Sequence, residues 1–287
     1  MVSLLQQVSE ILGSDGELRF QSVGGGCINK TGIVTDMQGN RHFLKVHHTK
    51  RLPNFEAEAA GLQEIANTDT IRAPRPIQAG TDSENAFLIM EALDLHSPKD
   101  RDRSERQLAK ELAALHRTTG DAFGWNRDNV IGDTPQRNTW ESSWVTFFRE
   151  HRLRYQIELA ATRGLDLPGA TQLLDQLNQF FQSYQPAPSL LHGDLWSGNV
   201  GYDKNSTPVI FDPAVYFGDR ETDIAFTEMF GGIGAEFYQS YHEAYPLDDG
   251  YSTRRPLYNL YHVLNHYNLF GGHYASQANE IIASLLQ

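Results

Sequence analysis

His192-Gly193-Asp194-Leu195-Trp196-Ser197-Gly198-Asn199 brings a carboxylate and a neutral amide together within one short loop. Transfer of a phosphoryl group to an alcohol calls for such a pairing: a carboxylate that accepts or orients the attacking hydroxyl, and an oxygen donor that holds magnesium nearby. Asp194 fits the first need and Asn199 the second. The chain then turns through Asp203 to Pro208 and returns at Phe211-Asp212-Pro213, so that Asp212 lies beside Asn199 as the charged metal ligand. Aspartate and asparagine also cap turns readily. Loop, hairpin and second aspartate in this order favour the chemical reading.

A cation for the phosphates is expected from Phe43-Leu44-Lys45-Val46, where a lysine interrupts an apolar strand-like run. An outward strand lysine is the plain alternative. The segment after it is rich in Glu and Ala, and as a helix it would let Glu58, or less favourably Glu56, fix the ammonium against nucleotide phosphates. Ahead of both lies Gly24-Gly25-Gly26-Cys27-Ile28-Asn29-Lys30, between two expected strands, where missing side chains let backbone N–H groups approach phosphate oxygens. Gly24, Gly25, Gly26 and Asn29 are therefore placed at the nucleotide. This is no dinucleotide loop, because it opens no helix and has Asn29 where the third glycine belongs; nor does it end in the Gly-Lys-Ser/Thr of a Walker A loop.

Other candidates carry less. His262 and His266 stand four apart, with His273 beyond, but no HExxH glutamate accompanies them and a core or pocket-wall role outweighs a zinc site. Asp219, Glu221 and Asp223 form an acidic group. Asp223 is expected to cap the next helix, and Asp219 or Glu221 to face a cationic substrate amine. Cys27 is the single cysteine, which excludes an internal disulfide framework and fits a reducing cytoplasm. In its glycine loop, backbone donors can stabilise a thiolate.

The elements that must position these groups follow from periodicity. Val2, Leu5, Val8, Ile11 and Leu12 recur at helical spacing, then strands at 17–23, 31–36 and 41–47 joined by turns make an antiparallel sheet. A helix over 54–66 starts behind Pro53, and strands follow at 75–78 and 86–90. Beyond Leu93 the pattern is helical over 104–116, 139–162, 169–184, 223–230, 235–245, 254–270 and 275–286. One strand-like segment, 190–202, turns into 209–211. The 287 residues, 40% hydrophobic, suit one large or two modest domains. With 24 basic against 36 acidic residues and a net charge of −12, nucleic-acid binding is disfavoured. No leader, lipidation signal or apolar run near the roughly 18 residues that span a bilayer is evident, so a cytoplasmic protein without a membrane partner is expected.

These motifs resemble the protein-kinase-like superfamily in its small-molecule branch, with aminoglycoside and choline kinases; His192-Gly193-Asp194 stands where protein kinases have His-Arg-Asp. Leu191 to Asn199 and Phe211 to Asp223 are closer to the fructosamine kinase family. Gly24 to Asn29 and Asn265-His266-Tyr267-Asn268-Leu269-Phe270-Gly271 resemble it too, so the likeness runs nearly end to end. Trp196 points the same way, since aminoglycoside-type kinases commonly carry histidine there.

The resemblance implies a two-lobed α+β fold. Residues 1–92 would form the nucleotide-binding lobe, an antiparallel five-stranded sheet with one inserted helix, and 93–287 the mostly helical catalytic and substrate lobe. It implies ATP and magnesium, with Lys45 on the phosphates, Glu58 its partner, Asp194 the base, Asn199 and Asp212 the metal ligands, and Met90-Glu91-Ala92-Leu93 the hinge whose backbone meets adenine. The implied reaction is phosphorylation of the 3-hydroxyl of a ketosamine, such as fructosamine or ribulosamine, free or on a glycated protein lysine. The 3-phosphate then releases the amine, which is deglycation. Trp196, Asp219, Glu221 and His266 are expected around the substrate. The resemblance also favours a redox role for Cys27, giving either a monomer or a dimer joined through Cys27 on oxidation. A kinase of another small alcohol and a catalytically silent kinase-like binding module are the alternatives.

Overall fold

The computed structural model describes residues 2–14, 16–23 and 30–287. Gly24, Gly25, Gly26, Cys27 and Asn29 lie outside the described residues, and with them the phosphate and redox roles expected there.

Helix α1 (Val2–Leu12) leads into β1 (Arg19–Ser22), β2 (Lys30–Thr35) and β3 (Arg41–His48), followed by α2 (Leu52–Asn67), β4 (Pro76–Thr81) and β5 (Asn85–Glu91). The five strands form one antiparallel sheet in the order β1-β2-β3-β5-β4, the sheet and inserted helix that the sequence implied. Strand alternation decides what each face buries. Leu44, Val46, Phe87 and Ile89 pack with Leu4 and Val8 of α1 in a small separate core. Ala86, Leu88 and Met90 on the opposite face join Phe55, Leu62 and Ile65 of α2 in the main core, which continues into the rest of the chain. Lys45, between Leu44 and Val46, must therefore turn toward α2.

The remainder is mostly helical. Helix α3 (Arg101–Leu115) is capped by the Asp100 carboxylate, which accepts the Arg103 N–H at 3.0 Å. A hairpin of β6 (Asn129–Ile131) and β7 (Thr134–Gln136) comes next. Helix α4 (Trp144–Phe147) then runs through a π-helical stretch, Phe148–Arg154, into α5 (Tyr155–Thr162). The helix expected over 139–162 starts later because Ser143 caps it, its side chain accepting the Thr146 N–H. The π-helical stretch carries Arg152 inward, where its fully buried guanidinium lies 4.0 Å from the centre of the Tyr216 ring and 4.6 Å from that of Phe147. Helix α6 (Ala170–Gln176), shorter than expected, gives way to a 3-10 turn over Leu177–Phe181.

The single strand expected over 190–202 is two strands of different sheets. Strand β8 (Ser189–Leu191) stops at the His192 loop, and after a 3-10 turn at Ser197–Asn199 the chain starts β9 (Val200–Tyr202). Strand β9 pairs with β10 (Pro208–Ile210), while β8 pairs with β11 (Tyr216–Gly218). The break is built in at Gly193, whose φ of +80° lies in the left-handed region and whose missing Cβ would fall 2.0 Å from the Ala214 carbonyl oxygen. Helices α7 (Glu221–Met229), α8 (Ala235–Ala244), α9 (Tyr251–Phe270) and α10 (Tyr274–Leu285) complete the chain. No described helix is long and apolar enough to cross a membrane.

Candidate active site

The Lys45 ammonium meets Glu58 Oε1 at 2.7 Å and Asp212 Oδ1 at 2.6 Å. Of the two glutamates weighed in α2, Glu58 is the partner and Glu56 is exposed. Burial alone would lower the Lys45 pKa, but the Glu58 and Asp212 carboxylates outweigh it and hold the ammonium charged. Glu58 is pushed above its ordinary range by burial and by the Asp212 charge, against the pull of Lys45. One strand, one helix and the turn after β10 thus converge on a single charge. Close packing fixes their spacing, since Gly61 of α2 lies so near Val215 that a Cβ there would sit 3.0 Å from its methyl. Asp212 itself adopts φ +57°, a left-handed conformation uncommon outside glycine.

The loop between β8 and β9 is held from below. Asp223 does not cap α7, as expected from sequence; it lies inside the first turn of the helix, buried, and accepts the N–H groups of His192 at 2.8 Å and Gly193 at 2.9 Å. Its Oδ2 also meets His116 Nε2 at 3.2 Å, while His116 Nδ1 lies 2.7 Å from the Tyr241 hydroxyl. A neutral histidine with the proton on Nε2 satisfies both contacts, in line with burial lowering the His116 pKa. His192 works the same way: Nδ1 accepts the Asp194 N–H at 3.3 Å and Nε2 lies 3.0 Å from the Phe211 carbonyl. It ties the Asp194 loop to the residue preceding Asp212.

Asn199 Nδ2 donates to the Asp194 carbonyl at 2.8 Å and to its Oδ2 at 3.3 Å. Burial raises the Asp194 pKa well above the ordinary carboxylate value, and the Asp212 charge adds to it. A carboxylate with raised proton affinity suits a group that takes a proton from a hydroxyl. The neighbouring donors also fit magnesium. With Nδ2 committed to Asp194, Asn199 keeps Oδ1, and Asp212 keeps the oxygen not bonded to Lys45, so each has a hard oxygen donor to offer. Among the described residues no group of three or more His, Cys, Asp or Glu could hold a metal alone, so a magnesium shell here would be completed by waters and phosphate oxygens.

Lys45, Glu58, Asp194, Asn199 and Asp212 all line one cleft of about 530 Å³. Met90, Glu91 and Leu93 line it too, while Ala92 does not; the Glu91 carboxylate is engaged by Arg72 at 2.8 Å. Trp196, 37% exposed, forms part of the wall. The remaining three residues expected around the substrate do not line it. Asp219 is fully buried, accepting from the Tyr184 and Tyr258 hydroxyls. Glu221 is fully buried in a two-pronged pair with Arg254 at 2.8 and 3.0 Å. Both are corrected from substrate contacts to interior anchors, because the segment after Asp212 dives into the core through β11 before α7 begins. His266 sits behind Phe230 with its Nδ1 on the His262 carbonyl at 2.7 Å.

Sequence reasoning missed the opposite wall, which comes from the β6–β7 hairpin. Asn129 and Asp133 line the cleft, and Asp133 pairs with Arg51 at 2.7 Å. The signal was Val130-Ile131-Gly132-Asp133-Thr134, a Gly-Asp turn between β-branched residues.

The family model described as fructosamine kinase matches residues 1–287. A Synechocystis sp. protein named as a probable ketoamine kinase is 44% identical over 287 residues, covering 99% of this chain and 96% of that protein. A chloroplastic protein-ribulosamine 3-kinase of Arabidopsis thaliana is 42% identical over 276 residues, covering 94% and 83%. The crystal structure of a Haemophilus somnus protein assigned as a fructosamine-3-kinase superposes with a TM-score of 0.91 at 30% identity, covering 99% and 97%. An aminoglycoside-3'-phosphotransferase of type VIII, at TM-score 0.56 and 18% identity over 89% and 98%, shares the fold alone.

Proposed function

The chain belongs to the fructosamine kinase family, and from that premise we propose that it transfers the γ-phosphoryl group of ATP to the 3-hydroxyl of a ketosamine. The observation that carries the reading is the convergence of Lys45, Glu58, Asp212, Asp194 and Asn199 on one cleft, in a chain that the family model matches throughout.

In this reading the nucleotide lies between a sheet lobe, 1–92, and a helical lobe, 93–287, with adenine against the 90–93 segment. Lys45, kept charged by Glu58 and Asp212, binds phosphate oxygens. Asn199 and Asp212 hold magnesium, which when bound supplies charge neutralisation along the phosphates. Asp194 orients the 3-hydroxyl and takes up its proton as the oxygen bonds to phosphorus and ADP departs. Most of the acceleration then comes from positioning and charge, as phosphoryl transfer demands little covalent chemistry from the protein. In the product, enolisation toward C1 would expel the 3-phosphate as inorganic phosphate, and water would hydrolyse the resulting C1 imine to free the amine, so the outcome is deglycation. Trp196 offers the acceptor an aromatic wall. We assign the activity to the cytoplasm.

The test is turnover by the purified protein with MgATP of ribulosyl-lysine and fructosyl-lysine against choline and kanamycin, following ADP release and locating the new phosphate by phosphorus NMR. Preference for a ketosamine with phosphate on the 3-oxygen is expected. Preference for choline or kanamycin would overturn the substrate and leave a kinase; no turnover of any acceptor would overturn both.

A further inference from the structure

Trp196, Phe230 and Phe270 are exposed by 37, 43 and 62%, and they belong to one run of rings. Trp196 meets Phe230 edge-on at 5.9 Å between centroids, Phe230 meets His266 at 5.2 Å, and His266 meets Tyr274 at 5.1 Å and Phe270 at 5.9 Å. The run connects two concavities. Trp196 lines the cleft that holds Asp194. Phe230 lines a second, open cavity with His273, Tyr274, Gln277 and Glu280. The row is anchored from behind, because Phe230 also packs against Phe226, which stacks on the buried His262 at 3.6 Å.

Exposed aromatic rings held in contact beside a cleft offer a ligand a contiguous apolar surface with accessible ring faces and edges. The chemistry of the proposed acceptor says which part of it this surface fits. In a ketosamine the amine is borne on C1, two carbons from the reacting C3, and everything beyond the nitrogen is independent of the sugar. The polyol calls for polar partners, which the cleft offers in the Asp133 carboxylate and the Arg51 guanidinium paired with it. A lysyl substituent is instead a four-carbon apolar stem that ends in a peptide backbone. Rings suit the stem, and the exposed Glu280 carboxylate suits a cationic group further on.

We infer that the row from Trp196 through Phe230 to Tyr274 and Glu280 is an extended acceptor subsite. It binds the amine-side substituent of the ketosamine, selecting sugars carried on lysine within a peptide chain over sugars on small amines. The inference rests on the ketosamine reading of the cleft.

Two acceptors with the same ketose separate the possibilities: ribulosyl-methylamine, and a short peptide ribulosylated on one internal lysine with an arginine beside it. Wild type is compared with Phe230→Ala, Tyr274→Ala and Glu280→Gln, all at exposed or half-buried side chains, with thermal unfolding as the control for folding. On the peptide, Phe230→Ala should lower kcat/KM about tenfold and Tyr274→Ala severalfold, through KM with kcat unchanged. Glu280→Gln should cost two- to threefold. On ribulosyl-methylamine all three should stay within twofold of wild type. Equal losses on both acceptors, or no loss on either, overturn the subsite and leave the kinase assignment intact. Wild type that phosphorylates neither compound refutes the ketosamine reading and the subsite with it.

Discussion

Replacing Asp223 by Asn tests whether the Asp194 loop is set by a buried carboxylate rather than by the loop's own sequence. Asp223 accepts three hydrogen bonds: His192 N–H and His116 Nε2–H on Oδ2, and Gly193 N–H on Oδ1. Asparagine has one oxygen. If that oxygen takes the Oδ2 position, its amide points an N–H at the N–H of Gly193. One hydrogen bond to a charged acceptor is lost, about 1.5 to 3 kcal/mol, and a buried donor is left unsatisfied, about 1 to 3 kcal/mol more. The sum is roughly 2.5 to 6 kcal/mol, which for a chain of this size lowers Tm on the order of 10 °C. The functional consequence comes through Gly193. Its left-handed φ and its contact with Ala214 hold Asp194 at the cleft only while both flanking amides are tied down. At 20 °C, where the variant is still folded, kcat should fall at least tenfold while KM for ATP changes little, since Lys45 and Glu58 are held by other elements. The assay is calorimetry beside steady-state kinetics at saturating ketosamine. A Tm within 2 °C of wild type together with unchanged kcat would falsify the argument that Asp223 positions the loop.

The other predictions concern the cleft and the interior. Asp194→Asn should lower kcat by about 10² to 10⁴ yet leave Tm unchanged or higher, because burial and Asp212 already disfavour the charge it removes; a lower Tm would contradict this. Lys45→Met leaves Glu58 and Asp212 facing each other and should cost about 3 kcal/mol in urea unfolding while raising KM for ATP at least tenfold; unchanged nucleotide affinity would remove Lys45 from the phosphates. Asp212→Ala should shift the magnesium needed for half-maximal rate upward at least tenfold, and an unaltered magnesium curve would exclude it as a ligand. His262 is held down to about 3 by burial, so below pH 6.5 the unfolded chain binds a proton that the folded chain refuses. Stability is then full above pH 6.5 and falls by about 1.4 kcal/mol per unit below it. His262→Phe, which keeps the stack on Phe226, should lose about 2 kcal/mol less than wild type between pH 6.5 and 5; parallel melting curves would show that His262 is not responsible.

The cluster proposed for catalysis could be assembled from the sequence because its parts are local. Asp194 and Asn199 share one loop, Lys45 sits where strand alternation sends it away from Leu44 and Val46, and a hairpin returns Asp212 to the same place. The five strands and inserted helix were readable for the same reason: apolar period and turn residues act over a few positions. The roles of Asp219, Glu221 and Asp223 could not be read that way. All three follow Asp212 closely, and their order in sequence suggests a substrate-facing Asp219 or Glu221 beside a candidate metal ligand and a helix-capping Asp223. Whether a carboxylate faces solvent or core depends on partners far along the chain: Tyr184, Tyr258 and Arg254 for the first two, His116 with the amides of His192 and Gly193 for the third. Burying a carboxylate is unfavourable unless such partners arrive, and no pattern within a few residues announces them. The division of 190–202 between two sheets and the wall supplied by the β6–β7 hairpin have the same origin. Sequence determined which groups could do chemistry and on which local element each stands; tertiary packing decided which of them share a cleft and which are spent on holding it in shape.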